Sequence, residues 1–337
     1  MAKIRIEPDT VAILLTDQCN AKCSMCCFSC SPDNRDVVDI ETIKSIIEQA
    51  ATLNGINTVG FSGGEVFLQY NLLADMVKYA SSLGLRTTCT SNGFWATSYK
   101  VALEKLLLLK KNGLSKLGLS VDHFHQQYVN INNIKNILMV CRKLGIPVDI
   151  GSVITKSTSD LSEAMSELKD DLVNIPHFRA ACLPIGKAEN IDSSDLYYDE
   201  DLLKRDKILC YETTYFSIYL NGDVYPCCSQ AGKTICLKLG NIYVDSLENI
   251  LKKYRSNMYI RIIKKYGLSW FVNIAQKEHF ESIYNKNYVN KCHLCYSILN
   301  NEAFLECTEK YIQEEKAAIY KKYLSAQNNG ISYHEQQ

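Results

Sequence analysis

The stretch DQCNAKCSMCCFSC, residues 17–30, constrains what this chain can become more than any other. It holds five of the fifteen cysteines, and Cys19, Cys23 and Cys26 within it follow a C-x3-C-x2-C spacing. Thiolates so spaced on a tight loop suit one cluster of soft metal ions. Three is the informative number, because a [4Fe–4S] cluster on three cysteines leaves one iron open to a small molecule. A structural zinc site takes four closed ligands, for which Cys27 or Cys30 is available, and a run of buried thiols is the remaining alternative. The rest of the chain decides among them.

A chain of 337 residues has room for about two domains. Its 37 basic and 37 acidic residues balance, which gives no footprint for nucleic acid or an anionic membrane surface. No secretory signal is expected, since residues 1–9 are charged and the apolar run after them is short. The most apolar run, residues 106–109, is far too short to span a bilayer. Cysteine-rich and without a signal, the chain is expected in the reducing cytoplasm, where thiols remain available to metal. A disulfide scaffold is unnecessary at this length.

Through the first half, β-rich runs alternate with amphipathic stretches. Strands are expected at 10–15, 56–61, 85–90, 114–121, 147–154 and 177–183. Helices are expected at 39–53, 71–83, 99–111, 127–144 and 161–172, several closed by glycine. Six βα units with short loops imply a parallel sheet, either curled as an open barrel or doubly wound. In both, ligands bind at the carboxyl ends of the strands. Gly63-Gly64-Glu65 follows the second strand, where glycines admit close backbone approach and Glu65 offers an acceptor for an ammonium. Ser91-Asn92-Gly93 follows the third strand and Ser120-Val121-Asp122 the fourth. A plain turn explains Asn-Gly equally well. Gly151 and Ile154 lie in the fifth strand, where core packing is the alternative reading.

Together, the cysteine triplet, the FSGGE at 61–65 and a cysteine-rich C-terminal part resemble the radical S-adenosylmethionine (SAM) enzymes, over residues 11 to 295. The resemblance implies an α/β fold: a partial (β/α)6 barrel in residues 1–188 with a SPASM/twitch-like auxiliary-cluster domain in 189–300 and a closing helix and tail in 301–337. It implies that the open iron chelates SAM and that a 5′-deoxyadenosyl radical abstracts hydrogen from substrate. By the same resemblance, Gly63, Gly64 and Glu65 hold the SAM amino group, and Ser91, Asn92, Ser120 and Asp122 the ribose. Gly151 and Ile154 would pack on adenine. Two features depart from the family: Met25 stands where an aromatic residue is common, and no arginine follows the Ser-x-Asp element. His123, His125 and Arg179 are conceivable substitutes for that arginine and are left unassigned.

After an acidic, polar stretch at 189–201, Cys210 precedes a β run at 213–220, a turn at Asn221-Gly222, and a return to Cys227. Asn-Gly between apolar runs is a strong hairpin signal, and folding there brings Cys227 toward Cys210. Cys292 and Cys295 add a C-x2-C. The C-x11-G-x4-C opening resembles the auxiliary-cluster domain of peptide-modifying radical SAM enzymes. Cys210, Cys227, Cys292 and Cys295 would then close a second [4Fe–4S] cluster, although zinc suits the same thiolates. Too few cysteines follow for a third cluster, so a shortened domain is expected; Cys27, Cys30, Cys236 and Cys307 have no assigned role. No N-terminal peptide-recognition domain is expected before Cys19.

Cys228, beside Cys227, is either a buried inert thiol or a hydrogen-atom donor. The CNAKCSMCCFSCSP stretch and this Cys-Cys pair resemble the epipeptide-type radical SAM peptide epimerases. That resemblance implies conversion of L- to D-residues in a ribosomally made precursor peptide, with Cys228 returning hydrogen and a flavodoxin or ferredoxin supplying electrons. A thioether-forming or dehydrogenating maturase is the competing enzyme reading, and a non-catalytic metal-binding scaffold the competing non-enzyme one. No nucleic-acid or membrane partner is expected.

Overall fold

The structure, a computed structural model, describes residues 7–161 and 165–328. Six parallel strands form its centre: β1 (Thr10–Thr16), β2 (Thr58–Gly63), β3 (Arg86–Ser91), β4 (Leu114–Ser120), β5 (Val148–Ile154) and β6 (His177–Ala181). Helices α1 (Ile40–Thr52), α2 (Tyr70–Ser82), α3 (Tyr99–Lys111), α4 (His123–Gln126) and α5 (Ile131–Leu144) connect them. Local chemistry sets the helix ends. Asp39 caps α1 by accepting from Thr42 N, Ser98 caps α3 by accepting from Val101 N, and Gly145 ends α5 in the left-handed region at φ 62°. The single helix expected over 127–144 is two. Asp122 caps α4, and Asn130, extended at φ −68° and ψ 134°, caps α5 by accepting from Asn132 N. Of the helix expected over 161–172, residues 162–164 lie outside the described residues, and Ser166–Leu172 winds as a 3-10 helix.

The outward faces of the strands are apolar and packed. Val11, Ile13, Leu15, Val59, Phe61, Leu117, Leu119 and Ile150 are all buried in one cluster with Ile43, Ile47, Leu73, Leu106 and Ile137 of the helices. Each such side chain contributes about 1.5–3 kcal/mol by burial. Exposed ion pairs such as Lys44–Glu41 contribute about 0–1 kcal/mol. The core therefore holds the fold. The inward faces differ: Ala12, Gly60, Ser62, Thr88, Gly118 and Ser120 are small, and Thr90 and Gly151 are exposed in the middle of the sheet. Parallel sheets are usually covered on both faces. Here the inner face lines an open hollow.

The cysteine-rich second half continues this sheet. The expected hairpin is present as β7 (Tyr215–Ile218) and β8 (Asp223–Tyr225), turning through Gly222 at φ +81°. β7 lies parallel to β1, with Thr10 opposite Tyr215 and Ile13 opposite Ile218. With β9 (Gly240–Asn241) the order is β6-β5-β4-β3-β2-β1-β7-β8-β9. Helices α6 (Leu247–Ser256), α7 (Met258–Lys265), α8 (Ser269–Lys277), α9 (Glu281–Tyr284), α10 (Lys291–Leu299) and α11 (Glu302–Asn328) follow. Their buried residues, Ile250, Ile263, Phe271 and Leu294 among them, join the barrel's core. No helix among the described residues is long and apolar enough to cross a membrane.

Candidate active site and thiol clusters

The cysteine loop leaves the end of β1 and returns beside it. Cys19 N donates to Ser31 O at 3.0 Å and Val38 N to Leu15 O at 3.0 Å, so the loop closes on itself. Inside it, Cys26 N donates to Cys23 O at 3.2 Å, and Ser29 takes a left-handed φ of 56°. Cys23 is buried, with its thiol donating to Phe124 O at 3.5 Å; Ala21 N donates to Cys19 Sγ at 3.4 Å. Burial pushes the Cys19 thiol up to about 11 and the Cys23 thiol up to about 12. Cys26 goes the other way, because the Cys30 thiol hydrogen-bonds to it and holds it below the usual thiol range against its burial. Cys19 and Cys26 pack against the buried cluster that holds Cys23, Ala21 and Met25.

Glu65 is buried, and its carboxylate is almost fully engaged. Oε1 accepts from Phe67 N at 3.1 Å and Ser91 Oγ at 2.8 Å; Oε2 accepts from Asn92 N at 2.7 Å. Burial raises its pKa despite these donors. Ser91 Oγ also accepts from Trp95 Nε1 and Gly93 N, so it is satisfied within the protein. Asn92 Nδ2 donates to Asn20 Oδ1 at 2.8 Å, joining the third strand end to the cysteine loop. Gly64 and Gly63 serve the same junction. A Cβ would stand 2.1 Å from Gln18 O at Gly64 and 2.2 Å from Thr16 O at Gly63, so what these glycines admit is the loop's own backbone.

Asp122 is buried too. Its Oδ1 accepts from His125 N and lies 2.9 Å from His125 Nδ1, while Oδ2 accepts from Val153 N at 3.0 Å. Burial opposes its ionisation, but the His125 contact and the amides keep its pKa below the ordinary carboxylate value. Ser120 and Gly151 lie on the inner face, and nothing stands within 4 Å of a Cβ built on Gly151. Ile154 does not join them. Strand side chains alternate, so Val153 shares Gly151's face and packs with Cys19 and Cys26, whereas Ile154 packs into the main core. Sequence reading also missed Gly186-Lys187. Lys187 N donates to Cys26 O at 3.1 Å and Lys187 Nζ to Cys30 O at 2.6 Å, clamping the loop from 157 residues away. A Cβ on Gly186 would stand 2.5 Å from Cys27 O. Only the Pro-Ile-Gly-Lys punctuation at 184–187 hints at it.

The second thiol set is assembled from three segments. Asn290 Oδ1 accepts from Cys292 N and His293 N, which starts α10 with Cys292 in its first turn and Cys295 one turn later. Cys227 is buried at the end of the hairpin, its thiol directed to Ser229 O at 3.6 Å. Burial, then the charges of Cys227, Cys210 and Cys292, push the Cys295 thiol strongly up, and α10 packs against residues 230–232, where a Cβ on Gly232 would stand 2.2 Å from Cys227 Sγ. Among the described residues, no group of three or more His, Cys, Asp or Glu is arranged to hold a single metal ion. A zinc site needs its four ligands round one ion, whereas in a cluster each thiolate meets its own iron. A donor set of cysteine thiolates alone is one that an iron–sulfur cluster takes.

A family model for the Radical SAM superfamily matches residues 13–168, and one for the iron-sulfur cluster-binding domain SPASM matches residues 210–296. This chain belongs to the radical SAM superfamily. Its matched domains support SAM and iron–sulfur binding. The Bacillus subtilis (strain 168) protein YydG, named for peptide biosynthesis, is 30% identical over 90% of this chain and 98% of its own length. Among solved structures, anSMEcpe with bound AdoMet has the same fold (TM-score 0.56, 16% identity, 90% of this chain, 98% of that one). So does Streptococcus suis SuiB bound to S-adenosylmethionine (TM-score 0.55, 18% identity, 80% of this chain, 74% of that one). The radical SAM core is thus the parallel sheet with its cysteine loop, and the SPASM domain carries the second thiol set. Cys228 follows Cys227 in the SPASM segment and, unlike it, is exposed.

Proposed function

We propose that this radical SAM protein is a peptide epimerase, converting L- to D-residues in a ribosomally made precursor peptide, with Cys228 as the hydrogen-atom donor. The observation that carries the reading is an accessible thiol beside a buried one: Cys228 is exposed next to Cys227, after the hairpin whose first strand pairs with β1. The kinship with YydG and the fold shared with anSMEcpe, solved with a Kp18Cys peptide, support a peptide substrate.

Cys19, Cys23 and Cys26 would hold the open-iron cluster, which with SAM would supply the radical chemistry for taking a Cα hydrogen from the peptide. A second cluster on Cys210, Cys227, Cys292 and Cys295 belongs to the same proposal. The chain's residues do the rest. Lys187, Asn20 and Glu65 fix the cysteine loop against the strand ends, so the abstracting face is held. Gly151, Ser120, Gly118 and Thr90 leave the hollow wide enough for a peptide backbone. A carbon radical is planar, so the product's configuration follows from which face receives hydrogen. Cys228 gives the hydrogen of its S–H from the face opposite the cysteine loop, forming a C–H bond and leaving a sulfur radical. One electron from a carrier of the flavodoxin or ferredoxin class and one proton restore the thiol. The two reactants must meet at near-contact geometry. Placement in the cytoplasm follows from the reduced thiols this chemistry needs.

Peptide mass tests the reading against the maturase alternatives. Epimerisation leaves the mass unchanged in light water and adds about one mass unit per event in D2O, as expected for a hydrogen returned from an exchangeable donor. A product about two units lighter would overturn it in favour of thioether formation or dehydrogenation.

A further inference from the structure

We infer that the free edge of β6, the strand that ends the sheet, is where the substrate peptide docks, adding to the sheet as one more extended strand. This rests on the proposed peptide substrate and names where that substrate is held.

Register decides which groups that edge presents. β6 pairs with β5 alone, with Ile150 opposite His177 and Ile154 opposite Ala181 and no shift between them. Ile150 N donates to Pro176 O at 2.9 Å, and Cys182 N to Ile154 O at 2.9 Å. Along a parallel ladder, successive residues turn their main-chain groups alternately to one side and to the other. Residues 176, 178, 180 and 182 therefore bond β5, and the N–H and C=O of His177, Arg179 and Ala181 point away from it. Among the described residues, no main-chain group bonds to them. His177, Phe178, Arg179 and Ala180 are exposed, and Ala181 is half-buried. Such a row of unpaired groups is a template for another extended chain.

Two features assign the edge to the substrate. Residues paired across neighbouring strands share a face, so Phe178, opposite Gly151, stands on the inner face of the sheet. It is 61% exposed there, an apolar side chain beside a glycine with open space above it. A strand added to β6 would set every second side chain on the face that Phe178 occupies. The second feature is where β6 leads. Cys182, the next residue, is fully buried in one cluster with Cys23, and Ala181 packs on that cluster together with Cys19 and Cys26. Five residues further on, Lys187 N donates to Cys26 O at 3.1 Å. A peptide laid along the edge is thus led to the cysteine loop. Main-chain pairing also suits a reaction at Cα, because every residue offers the same groups whatever its side chain.

The probe is a fluorescently labelled, end-capped peptide of about eight residues alternating valine and threonine, long enough to span β6. It is titrated against full-length, anaerobically reconstituted protein. Proline is tolerated on an edge strand where its missing N–H faces outward, so Arg179→Pro removes one edge donor and keeps the ladder to β5. Arg179→Ala removes only the side chain, whose Nη2 donates to Ser159 O at 2.5 Å. We expect Arg179→Ala to bind the probe as wild type does, and Arg179→Pro to bind it about tenfold more weakly. Hydrogen–deuterium exchange on wild-type protein covers the case in which Arg179→Pro does not fold: the probe should slow exchange over residues 177–181. Binding without that slowing, equal affinity in folded Arg179→Pro and Arg179→Ala, or no binding at all overturns the inference. Slowing that follows protein concentration and not the probe overturns it too, by giving the edge to a second copy of the chain. Product mass, measured on wild type without the probe, decides the peptide-substrate reading separately.

Discussion

Glu65 shows how one residue can organise a site from inside the protein. Its carboxylate ties the start of the segment after β2 to Ser91 and Asn92 at the end of β3, and Asn92 reaches Asn20 in the cysteine loop. Glutamine there keeps size but not chemistry. One orientation points its amide at Asn92 N–H, the other at Phe67 N–H, and each sets donor against donor. An unmade buried hydrogen bond costs about 1–3 kcal/mol. Glu65→Gln should therefore lower thermal stability measurably and weaken SAM binding at least about tenfold, since 1.4 kcal/mol corresponds to that factor. Calorimetric titration with SAM checks it. Wild-type affinity in a folded Glu65→Gln protein would mean that the GGE segment is a structural tie only.

At the scale of elements, the decisive joint is between the end of β1, with its cysteine loop, and the end of β2. Gly64 N donates to Thr16 O at 2.6 Å and Glu65 N to Gln18 O at 2.8 Å, and neither glycine has room for a side chain. Gly64→Ala should cost about 1–3 kcal/mol by overpacking and displace the loop. Reconstituted Gly64→Ala protein is expected to lose iron at the radical SAM site while keeping it at the SPASM thiols; full iron at both sites would contradict this. The barrel half was legible in the sequence because its signals are local. Asp39, Ser98 and Gly145 mark helix ends by their own chemistry, and strands such as β4 alternate large and small residues. Of the helices after residue 246, the closing α11 was expected and the five before it were not read. They are short, separated by Asn257 and Gly267, and hold their places by packing into a core that belongs to distant strands. The site divides along the same line. The cysteine triplet and the hairpin could be read because their spacing is local. The Lys187 clamp, the Asn92–Asn20 bond and the inward turn of Val153 could not, since each depends on chain brought from far away.

The whole molecule carries two thiol sets, one on the loop after β1 and one on the segments flanking the β7–β8 hairpin and on α10, along a single sheet that runs from β6 to β9. Wild-type protein should bind about eight irons, and Cys19→Ala/Cys23→Ala/Cys26→Ala about four, with SAM cleavage abolished. Retained deoxyadenosine formation in that triple variant would sink the radical SAM assignment of those cysteines. The central claim concerns Cys228, which is exposed while Cys227 is buried beside it. Loss of this thiol should leave iron content and peptide-dependent SAM cleavage intact, since neither requires it, and should leave the carbon radical without a donor. Chiral amino-acid analysis of precursor peptide treated with Cys228→Ala protein is the most direct measurement. The account predicts no D-residue beyond background where wild type yields it; D-residue at the wild-type level would contradict the assignment and pass the role to another thiol, Cys30 first.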